Sequence, residues 1–167
     1  DLNLRFSQSV RENFDEGRAR GRIALGRRIG DVWTGSVNAR FEQVEIDDIE
    51  PDAPVDVFAV AGSNELSSVG LSLTRSTTDS NILPGRRSRL VLNLDQYGAL
   101  GGDYDFTKIN FAYNQFWTLD EDFLGRKSIL SFSAQIGYIF EDNDAVPLFE
   151  RFYAGGRNFR GFDHRGV

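Results

Sequence analysis

Apolar and polar residues alternate along most of the chain. Leu2, Leu4 and Phe6 share one parity and Asn3, Arg5 and Ser7 the other, the period-two signature of a strand with one apolar and one polar face. The pattern returns over 17–29, where Ala19, Gly21, Ile23, Leu25 and Ile29 oppose Arg18, Arg20, Arg22 and Arg28. Over 32–46, Trp33, Val37, Ala39 and Phe41 oppose Thr34, Ser36, Asn38, Arg40 and Glu42. Residues 66–76 set Val69, Leu71 and Leu73 against Ser68, Gly70, Ser72 and Thr74, and 87–97 set Leu90, Leu92 and Leu94 against Arg89, Asn93 and Asp95. Residues 104–119 set Ile109, Phe111, Tyr113 and Trp117 against Lys108, Asn110 and Asn114, and 128–140 set Leu130, Phe132, Ile136, Tyr138 and Phe140 against Ser131, Ser133 and Gln135. Strands are therefore predicted at 2–10, 17–29, 32–46, 66–76, 87–97, 104–119 and 128–140, with no convincing helix.

The connections alternate in length. Gly30-Asp31 reads as a tight turn, while 47–64 and 141–167 are long. Short turns on one side and long loops on the other are the habit of outer-membrane barrels, which puts 47–64 outside and Gly30-Asp31 inside. Trp33, Trp117 and Tyr138 then fall near strand ends, where an aromatic girdle belongs. The acids of the long loop (Asp47, Asp48, Glu50, Asp52, Asp56) lack calcium-hand spacing, so a solvated loop is expected there.

Composition narrows the class. Fourteen Phe, five Tyr, two Trp and 17 Gly with only four Pro suit a β-rich chain with tight turns. No apolar run approaches the ~20 residues of a membrane helix. A mean hydropathy of -0.36 suits a soluble protein, and equally a barrel whose strands put half their residues toward lipid and half toward a wet lumen. The absence of cysteine removes disulfides, zinc-thiolate sites and thiol catalysis, and a net charge of -6 argues against nucleic acid as a partner. No signal peptide is legible at Asp1, as expected of a mature segment or a cytosolic chain. His164 is the only histidine, there is no Gly-x-Ser-x-Gly elbow, and the acids Asp120, Glu121 and Asp122 read as solvated loop residues, so no enzyme is expected. The arginines Arg18, Arg20, Arg22 and Arg28 form either a solvated face or, inside a barrel, a cationic lumen-facing wall.

The densest chemistry lies in 146–167. Aromatic residues Phe149, Phe152 and Tyr153 lead to Gly155-Gly156, and Arg160 follows between Phe159 and Gly161-Phe162. Rings seek burial and a guanidinium brings five donors, so Arg160 implies an acceptor, expected to be a carboxylate. An RNA-binding aromatic motif would need further alternating aromatics where Asp163 and His164 stand, and a phosphate loop would need Lys-Ser/Thr after its last glycine.

The order Pro147, Glu150-Arg151-Phe152, Gly155-Gly156, Arg160-Gly161-Phe162 resembles the (V/I)RGF loop of the BamA-type outer-membrane assembly factors and of their relatives TamA and the two-partner secretion transporters. It departs at Phe159, where that family usually carries a β-branched residue. Pro84-Gly85 within 79–86 and Gly101-Gly102-Asp103 resemble two further elements of the family. The resemblance implies an all-β fold, about seven strands of a transmembrane antiparallel barrel of roughly 16, since an odd, open set leaves edge groups unpaired in hydrocarbon. The whole of 1–167 would be a partial barrel domain, with periplasmic POTRA repeats before it, later strands after it, and 141–167 folded into the lumen. Glu150, Arg151, Phe152, Gly155, Gly156, Arg160, Gly161 and Phe162 are its implied functional residues, with Arg160 held in the lumen by a carboxylate from a later strand. Implied function is folding and insertion of barrel proteins into the outer membrane of a Gram-negative bacterium without catalytic chemistry or cofactors. Implied partners are unfolded barrel substrates, accessory assembly lipoproteins and outer-membrane lipid. A polypeptide secretion channel or passive pore, and a soluble β-sandwich binding module, are the alternatives.

Overall fold

The computed structural model describes residues 2–10, 14–51, 53–77, 87–121, 126–141 and 146–152. Seven strands run in chain order as one antiparallel sheet: β1 (Leu2–Val10), β2 (Asp15–Ile29), β3 (Trp33–Asp47), β4 (Gly62–Ser76), β5 (Arg87–Tyr97), β6 (Phe106–Glu121) and β7 (Lys127–Glu141). The fold is all-β, as the alternation and the resemblance both implied.

Register carries the alternation across the whole sheet. Leu25, Val37, Leu71, Leu94, Ile109 and Tyr138 pair in a row that crosses six strands on one face. Most of these stand open, with Leu25 at 76% and their same-face neighbour Ile136 at 66% exposure, while Ile109 is half-buried. A water-soluble sheet would cover such a surface. The β-sandwich alternative required these faces to pair in a core, and the buried cluster instead lies on the opposite face.

The first hairpin differs from expectation by one residue. Gly30, Asp31 and Val32 all belong to the turn, with Gly30 at φ 67°, so Ile29 pairs with Trp33 rather than with Val32. A one-residue slip moves every side chain to the other face. The observed turn is what sets Arg20 opposite Glu42.

The strand predicted from 66 begins at Gly62, because Gly62 to Ser67 pair with the last residues of β3. Beyond the end of β5 that stretch of β4 has no strand on its β5 side, and the β5–β6 loop supplies hydrogen bonds there. Gly98 N–H donates to Ser67 O at 3.0 Å, Asp103 N–H to Glu65 O at 2.9 Å, and Glu65 N–H to the Asp103 carboxylate at 2.7 Å. Gly102 has φ 117° and comes so near that a Cβ would sit 2.8 Å from Glu65 O. The Gly101-Gly102-Asp103 motif is thus a cap on a sheet edge.

The loop over 47–64 keeps Asp47, Asp48, Glu50 and Asp56 in solvent as expected, but part of it turns inward. Pro54 starts a single helical turn, α1 (Val55–Phe58), and Ala53, Val57 and Val60 are buried. Ala53, Val57 and Val60 are spaced by four and three residues, the repeat of one helix face, over a stretch too short for the pattern to stand out. Together with Val44, Ile46, Leu66, Tyr97, Phe106, Val146 and Phe149 they form the core, which sits on the polar face at the long-loop end.

Candidate functional site

After β7 the chain returns to this core. Pro147 introduces a turn of 3-10 helix (Leu148–Glu150), whose tight winding turns Phe149 and Glu150 together toward the sheet, and both are buried. A buried carboxylate costs several kcal/mol unless it is paired. Glu150 is met from three strands. Tyr97 of β5 donates its hydroxyl to Oε2 at 2.9 Å, Lys108 of β6 donates Nζ to Oε2 at 3.2 Å and to the Glu150 carbonyl at 2.7 Å, and Arg40 of β3 donates to Oε1 at 3.3 Å. Burial opposes ionisation of Glu150, but Arg40, Lys108 and the Tyr97 hydrogen bond outweigh it and hold the carboxyl below the usual glutamate range. Arg40 also donates to the Tyr97 hydroxyl and lies 4.9 Å over its ring, while Phe106 stacks on that ring at 4.2 Å.

A second carboxylate organises the adjoining arginines. Glu42 of β3 accepts both arms of the Arg20 fork, at 2.9 and 2.8 Å, and a further bond from Arg18 at 3.2 Å, and its side chain is fully buried. Arg40 Nε approaches it at 3.6 Å. Arg18 reaches on to the docked segment, donating to Phe149 O at 3.3 Å with its guanidinium 5.5 Å from that ring, and pairs with Glu16. Glu42 therefore braces the cations that hold the segment.

Two further contacts finish the clasp. Phe152 lies under Lys108 Nζ at 4.7 Å and over Gly137 of β7, where a Cβ would meet the ring at 2.5 Å. The bare glycine is the space the ring occupies. Arg151 donates Nε to Val146 O at 3.1 Å and NH1 to Asp56 of α1 at 2.6 Å, tying the segment to the loop helix in a half-exposed pair.

Of the residues singled out in the sequence, Glu150, Arg151 and Phe152 lie in this clasp. Gly155, Gly156, Arg160, Gly161 and Phe162 lie outside the described residues, as does Pro84-Gly85. Arg18, Arg20, Arg22 and Arg28 share the clasp's face of β2; Arg18 and Arg20 are bound to Glu42, whereas Arg28 donates to Asp31 O at 2.6 Å at the short-turn end. Sequence reasoning missed Arg40, Glu42, Tyr97, Lys108 and Gly137 as partners. Glu42 was visible as the one acid among the polar-face residues of 32–42, but its role needed the register. Among the described residues no group of acids and histidines is arranged to hold a metal ion. What the arrangement can do is fix one short segment to a sheet wall through ion pairs with matched hydrogen bonds.

Similarity to known proteins agrees with this picture. The family model of the Omp85 superfamily domain matches residues 1–167. The chain is 29% identical over 169 residues to the outer membrane protein assembly factor BamA of Nitratidesulfovibrio vulgaris, an alignment covering 97% of this chain and 20% of that protein. It is 30% identical over 124 residues to the BamA of Neorickettsia risticii, covering 74% of this chain and 16% of that protein. The chain thus spans a fifth or less of the length of these relatives.

Proposed function

The chain belongs to the Omp85 superfamily of β-barrel outer-membrane proteins of Gram-negative bacteria, and on that premise we propose that it forms part of the barrel of a factor that folds and inserts outer-membrane proteins. Its exposed apolar face meets lipid and its polar face lines the lumen. Unfolded barrel polypeptides pair with a strand edge that lies outside this chain and pass into a locally thinned bilayer, so that backbone hydrogen bonding and shape do the work in place of covalent catalysis. Accessory lipoproteins dock on other parts of the full protein.

Within that process the clasp on Glu150 holds the root of 153–167. With the root fixed to the inner wall, Arg160 is proposed to be held by a carboxylate on a strand beyond this chain. The observation that carries the reading is the ion-paired burial of Glu150 on the polar face by side chains from three strands. The test uses the full-length protein in cells, with the level of assembled outer-membrane proteins and protease cleavage of 153–167 as readouts. Glu150→Ala and Arg160→Ala are expected to lower assembly and expose the loop, while Arg157→Ala is not. Wild-type behaviour of both variants, or greater damage from Arg157→Ala, contradicts the docked-loop reading.

A further inference from the structure

Two oppositely charged residues face each other on the polar face without closing a bond. Asp95 of β5 and Lys108 of β6 are direct partners in the register of their strands, the placement in which opposite charges on neighbouring strands attract and stabilise a sheet. Lys108 instead gives its ammonium to Glu150, donating to Oε2 at 3.2 Å and to the carbonyl at 2.7 Å. Asp95 has no cation within ion-pair distance among the described residues.

The other neighbour of Asp95 explains where its carboxylate lies. On the side away from Lys108 stands Gly70 of β4, and Asn38 of β3 is next in the same row. A Cβ on Gly70 would overlap Asp95 Oδ1 and the Asn38 amide, so both side chains lean over the bare glycine. The carboxylate therefore rests toward β4 while the ammonium is drawn to the docked segment.

Electrostatics sets the sign of what Asp95 does. Arg40, Arg22 and Lys108 attract it and Glu150 repels it. A residue shifts the docking of 146–152 only by the difference between its interactions in the docked and released states. With the segment docked, Asp95 meets the like charge of Glu150. With the segment released that repulsion is gone, and Lys108, whose hydrogen bonds go to Glu150, is left facing Asp95 across the ladder. A rotation of the Asp95 side chain from Gly70 toward β6 closes that pair. Both contributions favour release.

We propose that Asp95 competes with Glu150 for Lys108, which makes 146–152 a releasable strap held less tightly than its own ion pairs alone would hold it. The inference rests on the reading of the Glu150 clasp as what fixes this segment to the wall. Glu42 and Glu150 hold the strap, and Asp95 loosens it.

The experiment follows hydrogen exchange of the Glu150 and Arg151 amides, bonded to Pro147 O and Leu148 O, in full-length protein embedded in lipid. Asp95→Asn is nearly isosteric and uncharged, and it is expected to slow both amides at least about fivefold. Asp95→Glu keeps the charge and is expected to exchange at the wild-type rate or faster, where a merely structural role predicts the same outcome for both substitutions. In a Lys108→Gln background the contested cation is gone, and Asp95→Asn is expected to retain less than about half of its slowing. Exchange in Asp95→Asn at or above the wild-type rate, equal slowing in Asp95→Glu, or about half or more of the slowing in the Lys108→Gln background overturns the proposal. Asp95→Ser repeats the neutral substitution with the same expectation should Asp95→Asn fail to insert. Glu150→Ala in the same measurement separates the proposal from the reading it rests on. Unchanged exchange in Glu150→Ala overturns the clasp itself, whereas faster exchange there without slowing in Asp95→Asn overturns the competition alone.

Discussion

Along β3 the apolar side chains lie on one face as far as Phe41 and on the other from Val44 onward; Phe41 is 53% exposed and Val44 fully buried. Two other strands change over as well, with Val69 and Leu71 on one face of β4 but Leu66 on the other, and Ile109 and Phe111 on one face of β6 but Phe106 on the other. One sheet therefore serves two surroundings. In the half that contains the short turns, apolar residues point outward to a surface that nothing in the described residues covers. In the half that contains the long loops, the outward positions become Gln43, Glu45 and Glu65, and the apolar residues turn inward to meet α1 and the segment after β7. On the proposed reading, in which the exposed apolar face meets lipid, the change of parity within a continuous strand is expected at the level where the surroundings of the wall change from lipid to water.

The largest effect expected from breaking this contrast is at the braces of the loop half. Glu42→Ala leaves Arg18, Arg20 and Arg40 without their shared partner and is expected to cost about 3–5 kcal/mol, measured by a folding titration in lipid, whereas Ser72→Ala in the other half is expected to cost under about 1 kcal/mol. Ile136→Arg on the apolar face comes next, at ~2–4 kcal/mol, with Gln135→Arg tolerated; equal penalties contradict the assignment of faces. Ile46→Val in the loop core is expected to cost about 0.5–1.5 kcal/mol. Arg151→Ala removes only the half-exposed pair to Asp56, so a loss of no more than about 1 kcal/mol is expected.

Acidity sharpens the same contrast. The folded-state pKa of Glu150 is depressed, so its contribution to docking is present above the ordinary glutamate range and is lost as pH falls through and below it. Protease cleavage after 152 is therefore expected to rise on acidification in the wild type, and to be already high and flat with pH in Glu150→Gln.

Much of the half with the exposed apolar face was legible in the sequence, because alternation is a local property and Leu25, Val37, Leu71 and Leu94 display it without knowledge of their neighbours. The loop half was less so. Val44 and Ile46 interrupt the parity of 33–41, a signal present in the chain but only meaningful once a surface to meet them is known. Arg20 and Glu42 are 22 residues apart and become partners through a three-residue turn; a two-residue turn sets Arg20 against Phe41 instead. Ala53, Val57 and Val60 follow a helical spacing over too short a stretch to stand out. Glu150 stood out through its place in the motif, yet Tyr97, Lys108 and Gly137 come from strands whose own patterns single out none of them.

The central claim is that 146–152 is locked to the polar face through Glu150, and hydrogen exchange of that segment in the full-length, lipid-embedded protein tests it most directly. The Glu150 and Arg151 amides, bonded to Pro147 O and Leu148 O under the buried side chains, are expected to exchange slowly in the wild type and at least about tenfold faster in Glu150→Ala. Fast exchange in the wild type, or slow exchange that survives the substitution, contradicts the account.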